Sequence, residues 1–180
     1  MQKLIKTIFL TVLFAMAMTS CKNEGSVQTY FVEHQDLPDY KAIDISANIV
    51  DFSKADLTEE QKETISSLEK FNVLLYRSKQ EDLEKYKSEF AKAKAIFKNE
   101  KHNELMEFNT DGAKFRVSSI GSDEAVDEIL ILASSSKIGF GLVRILGDEM
   151  NPEKMIALID KLQKADVDDN QLEGIMDFFK

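Results

Sequence analysis

Few side chains in this sequence carry obvious chemistry, and their spacing decides among the chemistries each could do. Cys21 is the single cysteine, so neither an intrachain disulfide nor a zinc cluster of thiolates can be built. His34 and His102 are the only histidines; Glu33 beside one, and Glu100 and Glu104 beside the other, could add oxygen ligands to a metal. Neither has a second histidine four residues away on one helical face, the spacing that holds a zinc ion. A solvated surface histidine is therefore expected at both positions. Asp166, Asp168 and Asn170, with Asp177 at the twelfth place, partly mimic a calcium loop. Gln171 stands where that loop needs glycine, and too little chain follows Asp177 for an exit helix. Capping by Asp168 or Asp169 accounts for the same residues, and no metal is expected. Ser134-Ser135-Ser136 could offer a nucleophile, but lacks a Gly-x-Ser-x-Gly setting, so a polar turn is the expected role. Gly139 and Gly141 share one face of an expected strand with Val143. They are candidates for a shallow groove that takes a lipid tail or an extended peptide. Close packing of a neighbour from the domain's own core is the leading expectation for the same glycines. Without a recognisable nucleophile, metal site or phosphate loop, the chain is expected to be non-catalytic and to need no cofactor.

The chain has 180 residues, 43% of them apolar, with 23 Lys+Arg against 32 Asp+Glu and a formal charge of −9. That length suits one domain with a real core, and 7 Gly and 2 Pro are too few for a disordered or fibrous chain. A nucleic-acid partner is not expected, because phosphate contacts over a backbone need clustered Lys and Arg.

The first residues read differently from the rest. Lys3 and Lys6 form a short positive region, and Ile8 to Met18 is apolar except for Thr11. Such a stretch matches the ~7–15 residues of a signal-peptide core and falls short of the ~20 that span a bilayer. Small Thr19 and Ser20 follow, then Cys21. This Met18-Thr19-Ser20-Cys21 run resembles the lipobox of bacterial lipoproteins, with Met18 where Leu is more usual. The resemblance implies a diacylglyceryl thioether on the Cys21 sulfur, cleavage before it, and acylation of the new amino terminus. Several acyl chains anchor stably, whereas one chain is marginal at about 0.8 kcal/mol per buried CH₂. Lys22, rather than Asp, follows the anchor, which favours the outer membrane; the periplasmic face and the cell surface both remain compatible. Residues 1–20 are thus expected to be a lipoprotein signal peptide, 21–25 a lipidated tether and 26–180 a single domain. Losing Lys3 and Lys6 takes two positive charges from the −9 and leaves a mature side-chain balance of −11, so attraction to anionic headgroups does not explain membrane residence.

Elements to position these residues can be read along the chain. Ser26 to His34 predicts a short helix, and the alternation of Ile43, Ile45, Ala47 and Ile49 predicts a strand over Tyr40–Phe52. Thr58-Glu59-Glu60-Gln61 predicts a capping box for a helix running to about Lys70, and Phe71–Tyr76 a short buried strand. Ser78-Lys79-Gln80-Glu81 predicts a second capping box. Its helix carries Leu83, Tyr86, Phe90, Ala93 and Phe97 along one face, with acids at its start and Lys92, Lys94 and Lys98 at its end to complement the macrodipole. Two hairpins follow: Leu105–Asn109 with Ala113–Ser119 around Asp111-Gly112, and Val126–Ala133 with Ile138–Leu146. Asn151-Pro152 predicts a helix start, and a last short helix is expected from about Asp169. The order α-β-α-β-α-β-β-β-β-α-α argues for an α+β fold: a mostly antiparallel sheet of about six strands with helices packed on one face.

Three segments carry a further resemblance. Glu104-Leu105-Met106-Glu107-Phe108, the Asp111-Gly112 turn and Lys114-Phe115-Arg116-Val117 form one hairpin. Val126 to Leu132, a polar turn and a strand ending Ile145-Leu146-Gly147 before a helix form another. With the Phe71–Tyr76 strand and the lipobox, these resemble a Bacteroidetes-type lipoprotein family called domain of unknown function 4252, over roughly Ser26 to Ala165. The resemblance implies no activity, ligand or site residue, and the Asp166–Lys180 tail lies outside it. The combined expectation is a membrane-anchored binding or scaffold domain, held at Cys21, with an envelope protein as a possible partner. The alternative is a periplasmic carrier or chaperone with an apolar groove near Gly139 and Gly141.

Overall fold

A computed structural model describes residues 26–49, 52, 56–79, 81–98, 102–110, 112–122, 125–135 and 138–163. The expected signal peptide and tether, Cys21, the calcium-like run Asp166–Asp177 and the helix expected from Asp169 lie outside the described residues.

Local signals set most helix starts. In α1 (Val27–His34), Ser26 Oγ accepts the Thr29 amide at 3.1 Å. In α2 (Glu59–Ser66), Thr58 and Gln61 form the expected reciprocal capping box. In α4 (Pro152–Gln163), Asn151 Oδ1 accepts the Lys154 amide at 3.0 Å, just ahead of Pro152. The exception is α3 (Leu83–Ile96), whose cap is Asp82 and not Ser78. The Ser78 amide donates to the Ile138 carbonyl at 3.0 Å, so this residue prolongs sheet pairing and the helix begins later.

The six strands are β1 (Tyr40–Ser46), β2 (Leu68–Arg77), β3 (His102–Thr110), β4 (Ala113–Gly121), β5 (Val126–Ser135) and β6 (Gly139–Met150). They form one sheet in the order β1-β2-β6-β5-β4-β3, with every neighbouring pair antiparallel. The fold is the expected α+β class, in the expected element order through α4. β1 is shorter than its apolar alternation predicted. Its last partner is Lys70, and β2 begins only at Leu68, so the ladder runs out. The chain then turns through a 3₁₀ segment (Ala47–Ile49) that buries Ala47.

The helices do not share one face. Leu74, Tyr76, Leu130, Leu132, Phe140 and Leu142 pack with Tyr30 of α1 and with Tyr86, Ala93, Ile96 and Phe97 at α3. The intervening residues Phe71, Ile129, Ile131, Val143 and Ile145 pack with Ile65 of α2 and with Met155 and Leu158 of α4. Successive strand residues point to opposite faces, so the sheet lies between two helical layers and the one-face expectation is overturned. The continuous apolar runs in β2, β5 and β6 have this cause, because a strand covered on both sides cannot alternate with polar residues.

A ring cluster closes the first layer. Tyr76 and Phe140, opposite each other in register, stack at 4.9 Å, and Tyr40, Tyr86 and Phe90 surround them. Such pairs contribute about 0.5–1.5 kcal/mol beyond their burial.

Candidate binding cleft

On the α1/α3 side, one small cavity opens between α3 and the β4–β5 ladder. Phe90 and Lys94 are one helical turn apart and so project together. Lys114 and Arg116 are alternate residues of β4, and Leu132 and Ser134 alternate residues of β5. The register pairs Lys114 with Ser134 and Arg116 with Leu132. These six residues line a cavity of about 90 Å³ with an apolar wall and a cationic rim.

Glu107 of β3 faces Arg116 in register and holds two of the three cations. Arg116 donates to its Oε2 from Nη2 at 2.8 Å and from Nε at 3.2 Å, and Lys114 Nζ lies 2.6 Å from Oε1. The Lys114 bond, then the Arg116 bond, hold the Glu107 carboxyl below its ordinary range. Lys94 is placed differently. Its Nζ stands 5.6 Å from the Phe90 ring centroid, with no carboxylate at ion-pair distance among the described residues. The Ser134 hydroxyl donates to the Lys114 carbonyl at 3.4 Å, a long bond that a better acceptor would replace.

The sequence-predicted groove lies elsewhere in β6 and is filled. A Cβ at Gly139, where φ is +135°, would sit 2.0 Å from the Tyr76 carbonyl oxygen. One at Gly141 would meet Leu75 Cδ2 at 3.1 Å. Both glycines are buried and serve the close approach of β2, while Val143 packs into the second core. This corrects the groove expectation, and the physical reason is the β2–β6 pairing itself.

The histidines are also placed differently from expectation. His34 is buried and stacks on Tyr30 with centroids 3.9 Å apart. Its Nδ1 donates to the Tyr30 carbonyl at 2.7 Å, and its Nε2 lies 3.8 Å from Glu89 Oε2. Tyr40 donates to the same Glu89 oxygen at 2.8 Å, and its hydroxyl is 3.2 Å from that of Tyr30. Burial pushes the Tyr30 phenol up to about 12 and raises Tyr40 as well. For Glu89 burial acts upward, but bonds from Lys92 and Tyr40 outweigh it and lower the carboxyl. The group ties α1, β1 and α3 together. His102 is half-buried at the other end of the same face, where desolvation lowers its pKa against a smaller raising effect of Glu128. Its Nδ1, Ser118 Oγ, Glu128 Oε1 and Arg144 Nε are buried without hydrogen-bond partners among the described residues, although Arg144 Nη2 donates to Glu128 Oε2 at 2.8 Å. Among the described residues, no group of three or more His, Cys, Asp and Glu is placed to hold a metal. Ser134 and Ser135, expected in the turn, are instead the last two residues of β5 and pair with Phe140 and Gly139, because the β5–β6 ladder runs two residues past Ala133; Ser136 lies outside the described residues.

A family model, Domain of unknown function (DUF4252), matches residues 30–158. The chain belongs to this family. No curated protein and no solved structure matches it. The matched DUF4252 region contains the whole cleft, from Phe90 to Ser134. Sequence reasoning missed the cleft because its cations had local explanations: Lys94 as a macrodipole partner, and Lys114 and Arg116 as hairpin residues. The legible signal was the i, i+2 cationic pair on a strand facing a helix of known apolar face.

Proposed function

We propose that this DUF4252 chain is a lipid-anchored domain of the outer membrane, tethered through Cys21, that binds an envelope component or partner protein without transforming it. The observation that carries the reading is the cleft, where three cations gather against Phe90 and Leu132 in a chain of net charge −9. Lys and Arg at such a rim supply attraction and hydrogen bonds, which is binding chemistry. The lipobox-like Met18-Thr19-Ser20-Cys21 run supports the anchor, and no helix among the described residues is long and apolar enough to cross a membrane.

Two measurements test the reading. Cells fed radiolabelled palmitate are expected to label the wild-type protein and not Cys21→Ala; equal labelling of both removes the anchor. Crosslinking in intact envelopes is expected to recover a partner whose yield falls in Lys94→Gln. Recovery of no partner from wild type counts against the binding role.

A further inference from the structure

We propose that the cleft between α3 and the β4–β5 ladder binds a phosphomonoester group. The inference rests on reading the chain as a binding domain and names the chemistry of the group it binds. Lys94, Lys114 and Arg116 bring three positive charges to the rim; Glu107 pairs with Lys114 and Arg116, and the Glu104 carboxylate stands 3.9 Å from Arg116 Nε, which leaves a surplus of one. A phosphomonoester carries about −1.5 to −2 at neutral pH and is drawn to such a cationic rim more strongly than a singly charged carboxylate. Donor geometry agrees. Arg116 uses Nε and Nη2 on Glu107, and Lys114 one ammonium hydrogen, so both keep donors to spare. Among the described residues Lys94 has its charge on the face of Phe90 and no ion pair, and the Ser134 hydroxyl is held by a long bond. A tetrahedral group with three terminal oxygens can accept from all four residues, which stand around one cavity.

Size restricts how much of the ligand enters with the phosphate. Sites for whole drug-sized ligands run to about 300–1,000 Å³, and this one is about 90 Å³. Only the terminal group enters, and the remainder of the ligand leaves past the Phe90 and Leu132 walls. A single-phosphate pocket in a chain of charge −9 cannot track a nucleic-acid backbone. The phosphomonoester can come from a lipid headgroup or from a soluble ester; the recognised chemistry is the same.

The test is calorimetric titration of the full-length protein in neutral detergent with glycerol phosphate, glycerol, acetate and a short-chain phosphatidic acid. Saturable binding of glycerol phosphate is expected, with none for glycerol. Affinity should fall about tenfold in Lys94→Gln and in Arg116→Gln, roughly 1.4 kcal/mol. It should also fall with added salt, and as pH drops below the phosphate's second pKa near ~6. Lys94 is half-buried at the edge of α3 and outside both apolar cores, so its variant should keep the wild-type unfolding temperature even if Arg116→Gln does not. Equal affinity for both phosphates identifies a soluble ester, and tighter phosphatidic acid binding a lipid. Acetate binding as tightly as glycerol phosphate, or phosphate binding unmoved by both variants, overturns the proposal. If no phosphate binds but the envelope crosslink still depends on Lys94, the phosphate inference fails and the binding role survives. If the wild type yields no crosslink either, both fail.

Discussion

Gly139 and Gly112 are both glycines with positive φ, yet they carry different loads. At Gly112, φ is +77° and the space where a Cβ would sit is open. Only backbone strain opposes a side chain there, and Gly112→Ala is expected to cost about 1 kcal/mol. At Gly139 the strain is joined by a collision with the Tyr76 carbonyl, so Gly139→Ala should destabilise clearly more. Urea unfolding of the two variants side by side measures the difference, and equal losses would refute the close approach of β2. Phe140, stacked on Tyr76 and nearly inaccessible to water, should lose about 3–5 kcal/mol on truncation to Ala. His102 sets a pH dependence. Desolvation lowers its folded pKa, so near-neutral pH leaves it uncharged in both states, and acid charges the unfolded chain first. Its contribution is complete above the unfolded value of about 6.5 and is lost as pH falls from there toward the folded value. Between about pH 7 and 5 the wild type should therefore lose stability more steeply than His102→Gln, with Glu128 and Arg144 as the charged neighbours on that face. A variant with the same slope would show that His102 takes no part.

Elements separate into those specified by their own residues and those specified by partners. The α2 capping box and the Asn151-Pro152 start of α4 were legible because a cap is satisfied within one turn of chain. The Ser78 box was equally good as a local pattern and does not form, since Ile138, distant in sequence, claims the Ser78 amide. Asp82→Ala should accordingly cost about 1 kcal/mol, and Ser78→Ala stay within about 0.5 kcal/mol of wild type. Thermal unfolding of the pair checks the assignment, and the reverse order would restore the sequence reading. β1 shows the same dependence, for its apolar alternation continues to Ile49 while its ladder ends with the partner strand at Ser46.

For the whole molecule, the class and order of elements were readable, and the layering was not. β2 closes the meander against β6, and this pairing places α1 and α3 on one side and α2 and α4 on the other. It also fills the supposed glycine groove and leaves the cationic cleft under the middle of α3. By itself the sequence determined what depends on neighbours along the chain: the caps of α2 and α4 and the strand-rich second half. Only the tertiary structure decided which face each apolar run serves, that His34 is buried, and that Lys94 meets Lys114 and Arg116. A β-strand's two faces are equivalent to its own backbone, and long-range register alone decides which of them each partner covers.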